Sequence, residues 1–297
     1  MNFDSSKSVS VVIVTWNGAR VIRQCLASVL DDEYNFEVEV IVVDNGSHDN
    51  TKEITKREFP SAEIIGLKKN IGYAAGNNVG IAAAKGDYIL LMNDDVFLEK
   101  GTLAAMRQKL MEMQSEKVAA VAPCLKYPGG AIQLSLRKFP TPANVLCDVL
   151  TLGRWHGRQY DHTVSQLVDQ PMASCLMIVG DLLRTMKGFD DHRNFFLYFN
   201  DVDLSYRIKE AGYRHYFLAD RFAIHHHGQS TRRWPQIRRI GAWCRGLYYF
   251  LAKHYAKKRV WLKYYFAITI FLIFLGRAAV ETIKSFFVFL IPKRINH

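Results

Sequence analysis

The 297 residues are 49% hydrophobic and 12% aromatic, enough apolar surface for a sizeable core and too much for a disordered chain. The formal charge of +11 is uneven: residues 1–220 hold 24 Lys/Arg against 27 Asp/Glu, while residues 221–297 hold 15 Lys/Arg against Glu281 alone. Five scattered cysteines (Cys25, Cys124, Cys147, Cys175, Cys244) form no C-x-x-C pair, which excludes a thiolate zinc site and a disulfide framework.

The first apolar run, Val9 to Trp16, is interrupted by Ser10 and Thr15. It is too short and polar for a secretory signal, so a reducing, cytosol-facing location is expected. Short and β-branched, "SVSVVIVTW" (8–16) predicts a buried strand. Helical spacing of Val21, Ile22, Cys25, Leu26 and Val29 follows over 18–30. A second strand is expected at 38–44, a polar-faced helix at 48–59, a third strand at 62–67, a small-residue helix at 73–86 and a fourth strand at 87–92. Strands alternating with helices imply a parallel sheet covered on both faces, similar to a nucleotide-binding doubly wound fold. Prolines and glycines loosen the pattern between Tyr127 and Asp169. A strand over 171–180, a helix over 201–213 and a strand over 214–228 complete the body, and the basic, aromatic remainder reads as helical.

Ligands of open α/β sheets bind at the carboxyl ends of the strands. Four polar clusters fall there: Thr15-Trp16-Asn17, Asp44-Asn45-Gly46-Ser47, Asn70-Ile71-Gly72 and Asn93-Asp94-Asp95. Each has a plain structural reading, as a turn or a helix cap. Four on one edge of one sheet point to a ligand. Adjacent acids at the tip of a buried strand repel unless a cation or water separates them, and Mg²⁺ bound there bridges to substrate phosphates. Gly72, Gly76 and Gly80 are spaced four apart, which is not the dinucleotide fingerprint of a dehydrogenase. Small residues at that spacing let a helix lie close to the sheet or to a ligand, with Asn77 among them.

A second acidic cluster, Asn200-Asp201-Val202-Asp203, follows Phe195, Phe196, Tyr198 and Phe199. It reads as a helix start with Asn200 as N-cap, and an ionised Asp there can also serve as general base. Of His225-His226-His227, a strand turns only alternate rings to one face. One of them is a candidate metal ligand alongside a carboxylate, as suits Mn²⁺.

In "VSVVIVTWN", "VIVVDNGSHDNT", "NIGYAAGNNVGIAAAKGDYILLMNDDV", "KGFDD", "FFLYFNDVDLSYRIKEAGYR" and "HHHGQS", covering residues 8–230 in order, the chain resembles family 2 glycosyltransferases of the GT-A fold, most closely their rhamnosyltransferase-like branch. The resemblance implies an α/β GT-A (Rossmann-like) catalytic domain over 1–230 and inverting, metal-dependent transfer from a nucleotide-sugar donor. dTDP-L-rhamnose is the leading donor and a UDP-sugar the alternative. By the same resemblance Asp44, with Thr15 and Asn17, holds the nucleotide base; Asn45, Ser47, Asn70, Gly72, Asn77, Asn93 and Asp94 line the nucleotide-sugar pocket. Asp95 and His225 hold Mg²⁺ or Mn²⁺, and Asp201 is the catalytic base. Two departures stand out: Asn93 replaces the first acid of the family's D-x-D, and Asn200 replaces the Glu common before the base.

The segment 231–297 is expected to associate with membrane. Between Lys263 and Arg277 lie 13 uncharged residues, short of the ~20 that span a bilayer. At 100° per residue Lys263, Arg277, Glu281 and Lys284 fall within about 60° of one another, which predicts a helix lying in the interface. Binding to an anionic cytoplasmic leaflet and a lipid-linked or polysaccharide acceptor of cell-envelope synthesis, lipopolysaccharide included, follow as expectations. The competing class is a non-catalytic basic module for nucleic acid or anionic membrane. Nucleic acid is rejected because the tail carries no recognised binding motif and its apolar run would be wasted there. An oligomer through the same tail is the remaining alternative.

Overall fold

Seven β-branched and apolar residues, Val9–Thr15, are buried along their whole length and form the central strand β1. In a computed structural model, which describes residues 7–145, 160–195, 198–226, 235–257 and 259–290, β1 pairs in parallel on one side with β2 (Val38–Asp44) and on the other with β4 (Tyr88–Asn93). β3 (Glu63–Gly66) extends the parallel set beyond β2. On the far side β10 (Cys175–Val179) is antiparallel to β4 and to β6 (Val118–Lys126), and β11 (Arg214–His225) is parallel to β6. β5 (Val96–Leu98) and β8 (Gln166–Val168) pair antiparallel with β11. The nine-stranded order is β3-β2-β1-β4-β10-β6-β11-β5, with β8 beside β11. Six of the nine strands run one way, so their carboxyl ends share one edge. β7 (Leu136–Arg137) and β9 (Gln170–Pro171) form a separate small ribbon.

Helices cover both faces. α1 (Ile22–Leu30) and α4 (Thr102–Glu112) pack in one core with Val9, Val11 and Ile13, through Ile22, Cys25, Leu26, Leu103, Met106 and Leu110. α2 (Thr51–Glu58) adds Ile54 to that core. On the other face α3 (Tyr73–Ala83) sits with Val12, Val14, Ile41 and Val43. A Cβ on Gly76 would come within 2.9 Å of Val14, and one on Gly80 within 2.3 Å of Val12. The four-residue glycine spacing is therefore a close helix–sheet contact. α5 (Gly180–Thr185) and α6 (Asn200–Glu210) complete this layer through Leu183, Leu204 and Ile208.

The chain divides into two compact units, Met1–Phe139 with Arg158–Gln229 and Pro140–Gly157 with Ser230–His297. The described residues 140–145, expected in the first domain, thus fall in the second unit. In that second unit α7 (Gln236–Leu251) runs through a π-helical turn, Ala252–Ala256, into α8 (Val260–Leu290). Leu262, Phe266, Ile270 and Ile273 of α8 are buried, while Trp261, Tyr264, Ile268, Phe271, Leu272 and Leu275 stand out on the other side. Arg277 lies 4.0 Å over the Trp243 ring of α7. One stretch among the described residues, Val260–Ala279, is long and apolar enough to cross a membrane by length and composition. The sequence expectation counted only between Lys263 and Arg277; both lie inside that 20-residue window.

The predicted elements are present, with boundaries that move by a few residues. The strand expected over 171–180 is broken: β9 ends at Pro171, Met172–Ser174 turn, and β10 begins at Cys175. The helix expected from residue 48 begins at Thr51, because Asp49 folds back to accept from Thr51 N–H.

His215 on β11 is 1% exposed and its Nε2 has no hydrogen-bond partner. Burial pushes its imidazole down to about 3. The folded protein keeps the ring neutral while the unfolded chain protonates it below pH ~6.5. Stability therefore falls as pH drops from ~6.5 towards 3, with this one proton contributing about 1.4 kcal/mol per pH unit. His215→Leu is expected to flatten the Tm–pH curve over that window, measured by differential scanning fluorimetry. An unchanged slope contradicts the assignment.

Candidate active site

The carboxyl ends of β1, β2 and β4 carry the expected polar clusters to one edge. Thr15 Oγ1 donates to Asp94 Oδ2 at 2.7 Å, tying β1 to the turn after β4. Burial pushes the Asp94 carboxyl up to about 7; the Thr15 hydrogen bond opposes the rise and the Asp95 charge adds to it. Gly18 closes over this pair, since a Cβ there would meet Thr15 Oγ1 at 2.2 Å and Asp94 Oδ2 at 2.6 Å.

Asn17, with φ 55°, lies in the left-handed region where few residues other than glycine settle. The twist lets its N–H donate to Ser47 Oγ at 2.9 Å and its Oδ1 accept from His48 N–H at 2.8 Å. Asp44 is buried and its Oδ1 accepts from Ser47 N–H at 3.1 Å. Thr15, Asn17, Asp44 and Ser47 thus form one linked rim. Asn45 and Asn70 serve the loop itself: Asn45 Nδ2 donates to Asn70 Oδ1 and Gly72 O, and Asn45 Oδ1 accepts from Ile71 N–H. Asn70 Oδ1 also accepts from Gly72 N–H. Gly72, at φ 95°, turns the chain into α3 through a conformation that disfavours a side chain.

Asp95 and His225 come together. Asp95 follows β4, His225 ends β11, and His225 Nε2 lies 3.4 Å from Asp95 Oδ1, both side chains being buried. Buried Gln133 fixes the ring: its Oε1 accepts from His225 Nδ1–H at 2.9 Å. With Nδ1 engaged by Gln133, Nε2 is the ring atom turned towards the carboxylate, and a cation placed between the two would have a ligand on each side. His226 instead lies tilted against Phe97 at 4.9 Å between ring centres, and its N–H donates to Asp95 O. His227 lies outside the described residues, as does Phe196.

The helix start differs by one residue from the expectation. Phe199, not Asn200, occupies the cap, held at φ 72°, while Asn200 Oδ1 accepts from Asp201 N–H. A bulky residue in that conformation is strained. The two acids of α6 then separate. Asp203 is wholly buried and paired with Arg207 at 2.8 Å, and Arg207 also donates to Met186 O and Gly188 O. Asp201 is half-buried, accepting from Val202 N–H at 2.9 Å and from Gln170 Nε2 at 3.5 Å. Burial raises its carboxyl above the ordinary carboxylate range, against the pull of the Arg137 charge and the N–H groups of Val202 and Ala173.

Tyr73 connects the two acid centres. Its hydroxyl donates to Ala173 O at 3.1 Å, the residue whose N–H serves Asp201. Burial, then the charges of Asp201 and Asp95, push that hydroxyl well above its usual range. Tyr73, Gln133, Gln170 and Ala173 were missed in the sequence. Tyr73, first residue after the Asn70-Ile71-Gly72 turn, carried the one available signal. Asn77 is buried under α3, its Nδ2 donating to Tyr73 O.

No group of three or more His, Cys, Asp or Glu gathers among the described residues. Asp95 and His225 nonetheless fit a divalent cation whose remaining ligands are substrate phosphate and water.

Known proteins share the architecture. The chain is 24% identical over 265 residues to the N-acetylglucosaminyl-diphospho-decaprenol L-rhamnosyltransferase of Mycobacterium tuberculosis, covering 83% of this chain and 84% of that protein. A mannosyltransferase from Pyrobaculum calidifontis, solved with GDP-Man and Mn²⁺, superposes with TM-score 0.57 at 18% identity over 96% of this chain and 79% of that one. GalNAc-T7, solved with UDP, GalNAc and Mn²⁺, gives TM-score 0.56 at 13% identity over 75% of this chain; the match spans 44% of that longer chain. These likenesses establish the GT-A fold. The family model described as "Glycosyl transferase family 2" matches residues 10–160, and the chain belongs to that family as a glycosyltransferase.

Proposed function

We propose that the protein transfers a sugar, with inversion, from a nucleotide-sugar donor to a hydroxyl of a lipid-linked or polysaccharide acceptor in bacterial cell-surface glycan synthesis. L-rhamnose from dTDP-L-rhamnose is the leading donor, a choice supported by the named mycobacterial relative. The observation that supports the reading is that the charges of Asp201 and Asp95 both reach the Tyr73 hydroxyl, with His225 beside Asp95.

The rim of Thr15, Asn17, Asp44 and Ser47 receives the nucleotide, and Asn45, Asn70 and Gly72 keep the neighbouring loop in shape. Asp95 and His225 would hold Mg²⁺ or Mn²⁺, which supplies charge stabilisation to the departing nucleoside diphosphate. Asp201 accepts the acceptor hydroxyl's proton on its carboxylate while that oxygen attacks the anomeric carbon from the side opposite the diphosphate. Its raised pKa makes it a stronger proton acceptor than a solvated Asp. The N–H groups of Val202 and Ala173 and the Gln170 amide fix where that carboxylate points.

Asp201→Asn preserves shape and removes the base. Its kcat is expected to fall by ~10²-fold or more with donor KM little changed. Because the carboxyl is raised, the basic form is lost as pH falls, so the acid limb of wild-type kcat/KM lies above the ~4 of an ordinary Asp. A variant with normal kcat and lost donor affinity moves Asp201 into the binding shell.

The tail supports a peripheral site on the cytoplasmic leaflet. Residues 221–297 carry 15 Lys/Arg and one acid, and basic groups near anionic lipid contribute about 1 kcal/mol each. The exposed face from Trp261 to Leu275 supplies the apolar contact. Flotation with phosphatidylglycerol-containing liposomes is expected to recover the protein, with partial release in 1 M NaCl and full release in alkaline carbonate. Retention in carbonate contradicts the interfacial placement in favour of a spanning helix. Failure to bind liposomes, with self-association in solution, assigns the same face to an oligomer.

A further inference from the structure

One cation beside the base has no use in the fold. Arg137, at the end of β7, is exposed, and its guanidinium makes no ion pair or hydrogen bond among the described residues. Its charge nevertheless acts on Asp201, second only to burial among the influences on that carboxyl. Surface arginines are commonly solvated and idle; what sets this one apart is its backbone.

That backbone is fixed from two sides. In the β7–β9 ribbon Arg137 stands directly opposite Gln170, and residues opposite in an antiparallel pair turn to the same face. Gln170 Nε2 in turn donates to Asp201 Oδ2 at 3.5 Å. His162 Nε2 accepts from Ser135 N–H at 3.0 Å and from Leu136 N–H at 3.2 Å, while Ser135 O accepts from Met172 N–H at 3.0 Å. Leu136 is buried with Val168 and Phe217, so the alternation of a strand sends Arg137 the other way. Phe139 then packs edge-on against Tyr206, at 5.2 Å between ring centres, on the helix that carries Asp201. The acid next to Gln170 in sequence, Asp169, takes the Tyr160 hydroxyl instead.

A fixed positive charge beside a general base lowers its basicity, so a bare Arg137 works against Asp201. An anion seated on the guanidinium cancels that pull and leaves the carboxylate, still poorly solvated, to take the proton. Solvent reaches both groups, Asp201 being half-buried and Arg137 exposed. On the reading proposed above, on which this inference rests, the acceptor hydroxyl comes to Asp201, and the donor's diphosphate is neutralised by the cation at Asp95 and His225. The anion beside the base therefore belongs to the acceptor.

We propose that Arg137 binds a phosphate of the acceptor, and that the acceptor is a sugar joined to its lipid through a phosphate or diphosphate rather than the neutral end of a polysaccharide. A phosphate on the anomeric carbon stands a ring's width from the hydroxyls of the same sugar. Arg137 can then hold it while Asp201 takes the proton from one of those hydroxyls. The planar guanidinium offers two parallel N–H donors to phosphate oxygens, which a solvated lysine would not.

The test is isothermal titration of wild type, Arg137→Gln and Arg137→Lys, each saturated with Mn²⁺ and with dTDP or UDP, whichever binds more tightly. Low salt leaves the charge least screened. The probes are N-acetylglucosamine on octyl diphosphate, the same sugar as its neutral octyl glycoside, and octyl glucuronide; nucleotide affinity and Tm are measured alongside. Wild type is expected to prefer the diphosphate probe to the neutral glycoside by at least ~10-fold. Arg137→Gln erases that preference by weakening the diphosphate probe alone, and Arg137→Lys, a point charge without the fork, recovers part of it. Nucleotide affinity and Tm stay as in wild type, because the side chain serves neither the nucleotide nor the fold. Equal binding of the charged and neutral probes by wild type overturns this inference alone, as does an Arg137→Gln protein that keeps the preference. Nucleotide affinity that falls in Arg137→Gln overturns it by assigning the guanidinium to the donor. Preference for octyl glucuronide over the diphosphate probe refutes the phosphate. A wild type that binds nucleotide but none of the probes overturns the lipid-linked acceptor along with the inference.

Discussion

Two carboxylates at the end of a buried strand are the constraint around which the site is arranged. β4 is apolar and buried through Met92, then delivers Asp94 and Asp95 to the sheet edge. Neighbouring anions in a poorly solvated place resist ionising together. The protein answers each acid differently. Asp94 takes the Thr15 hydroxyl, and Asp95 takes an imidazole from β11 that Gln133 holds in place. Cys25, packed below, keeps its thiol protonated, through burial first and the two acid charges next. On the proposed reading a divalent cation would relieve what remains and would stabilise the departing diphosphate.

The sheet topology makes those answers available. β4 and β11 are far apart in sequence, yet β5 turns back antiparallel to β11 and pairs Val96 with His225. That single register pair places the imidazole beside the acid preceding Val96. On the other side, the strand breaks between Pro171 and Cys175, and the Ala173 carbonyl in that break accepts from the Tyr73 hydroxyl.

Much of this was legible from residues alone. β-branched runs and strand–helix alternation specified β1 to β4 with α1 to α3, because their periodicities are strong and local. The edge clusters followed from where strands end. What stayed hidden depends on long-range contact. Gln133 and Gln170 sit in stretches with no periodic signal, and their roles come from partners 31 to 92 positions away. Asn45 and Asn70, expected to line the pocket, also hold the 70–72 loop through their amides, a structural part that the sequence did not show. Asn200 as N-cap was the usual preference, displaced by Phe199 in a left-handed turn that no propensity favours.

The tail obeys a different economy from the body. α8 buries one side and leaves an opposite apolar side uncovered, with Arg277 held on the Trp243 ring rather than in water. On the proposed reading, a near-neutral body and such a tail would separate donor chemistry from surface attachment. The claim on which the site stands is that Asp95 and His225 hold the cation. Mn²⁺ titration followed by electron paramagnetic resonance, with UDP or dTDP present, tests it directly on wild type, Asp95→Asn and His225→Ala. One bound Mn²⁺ in wild type, weakened at least ~10-fold in both variants, is the expected result; equal Mn²⁺ binding in all three proteins contradicts it.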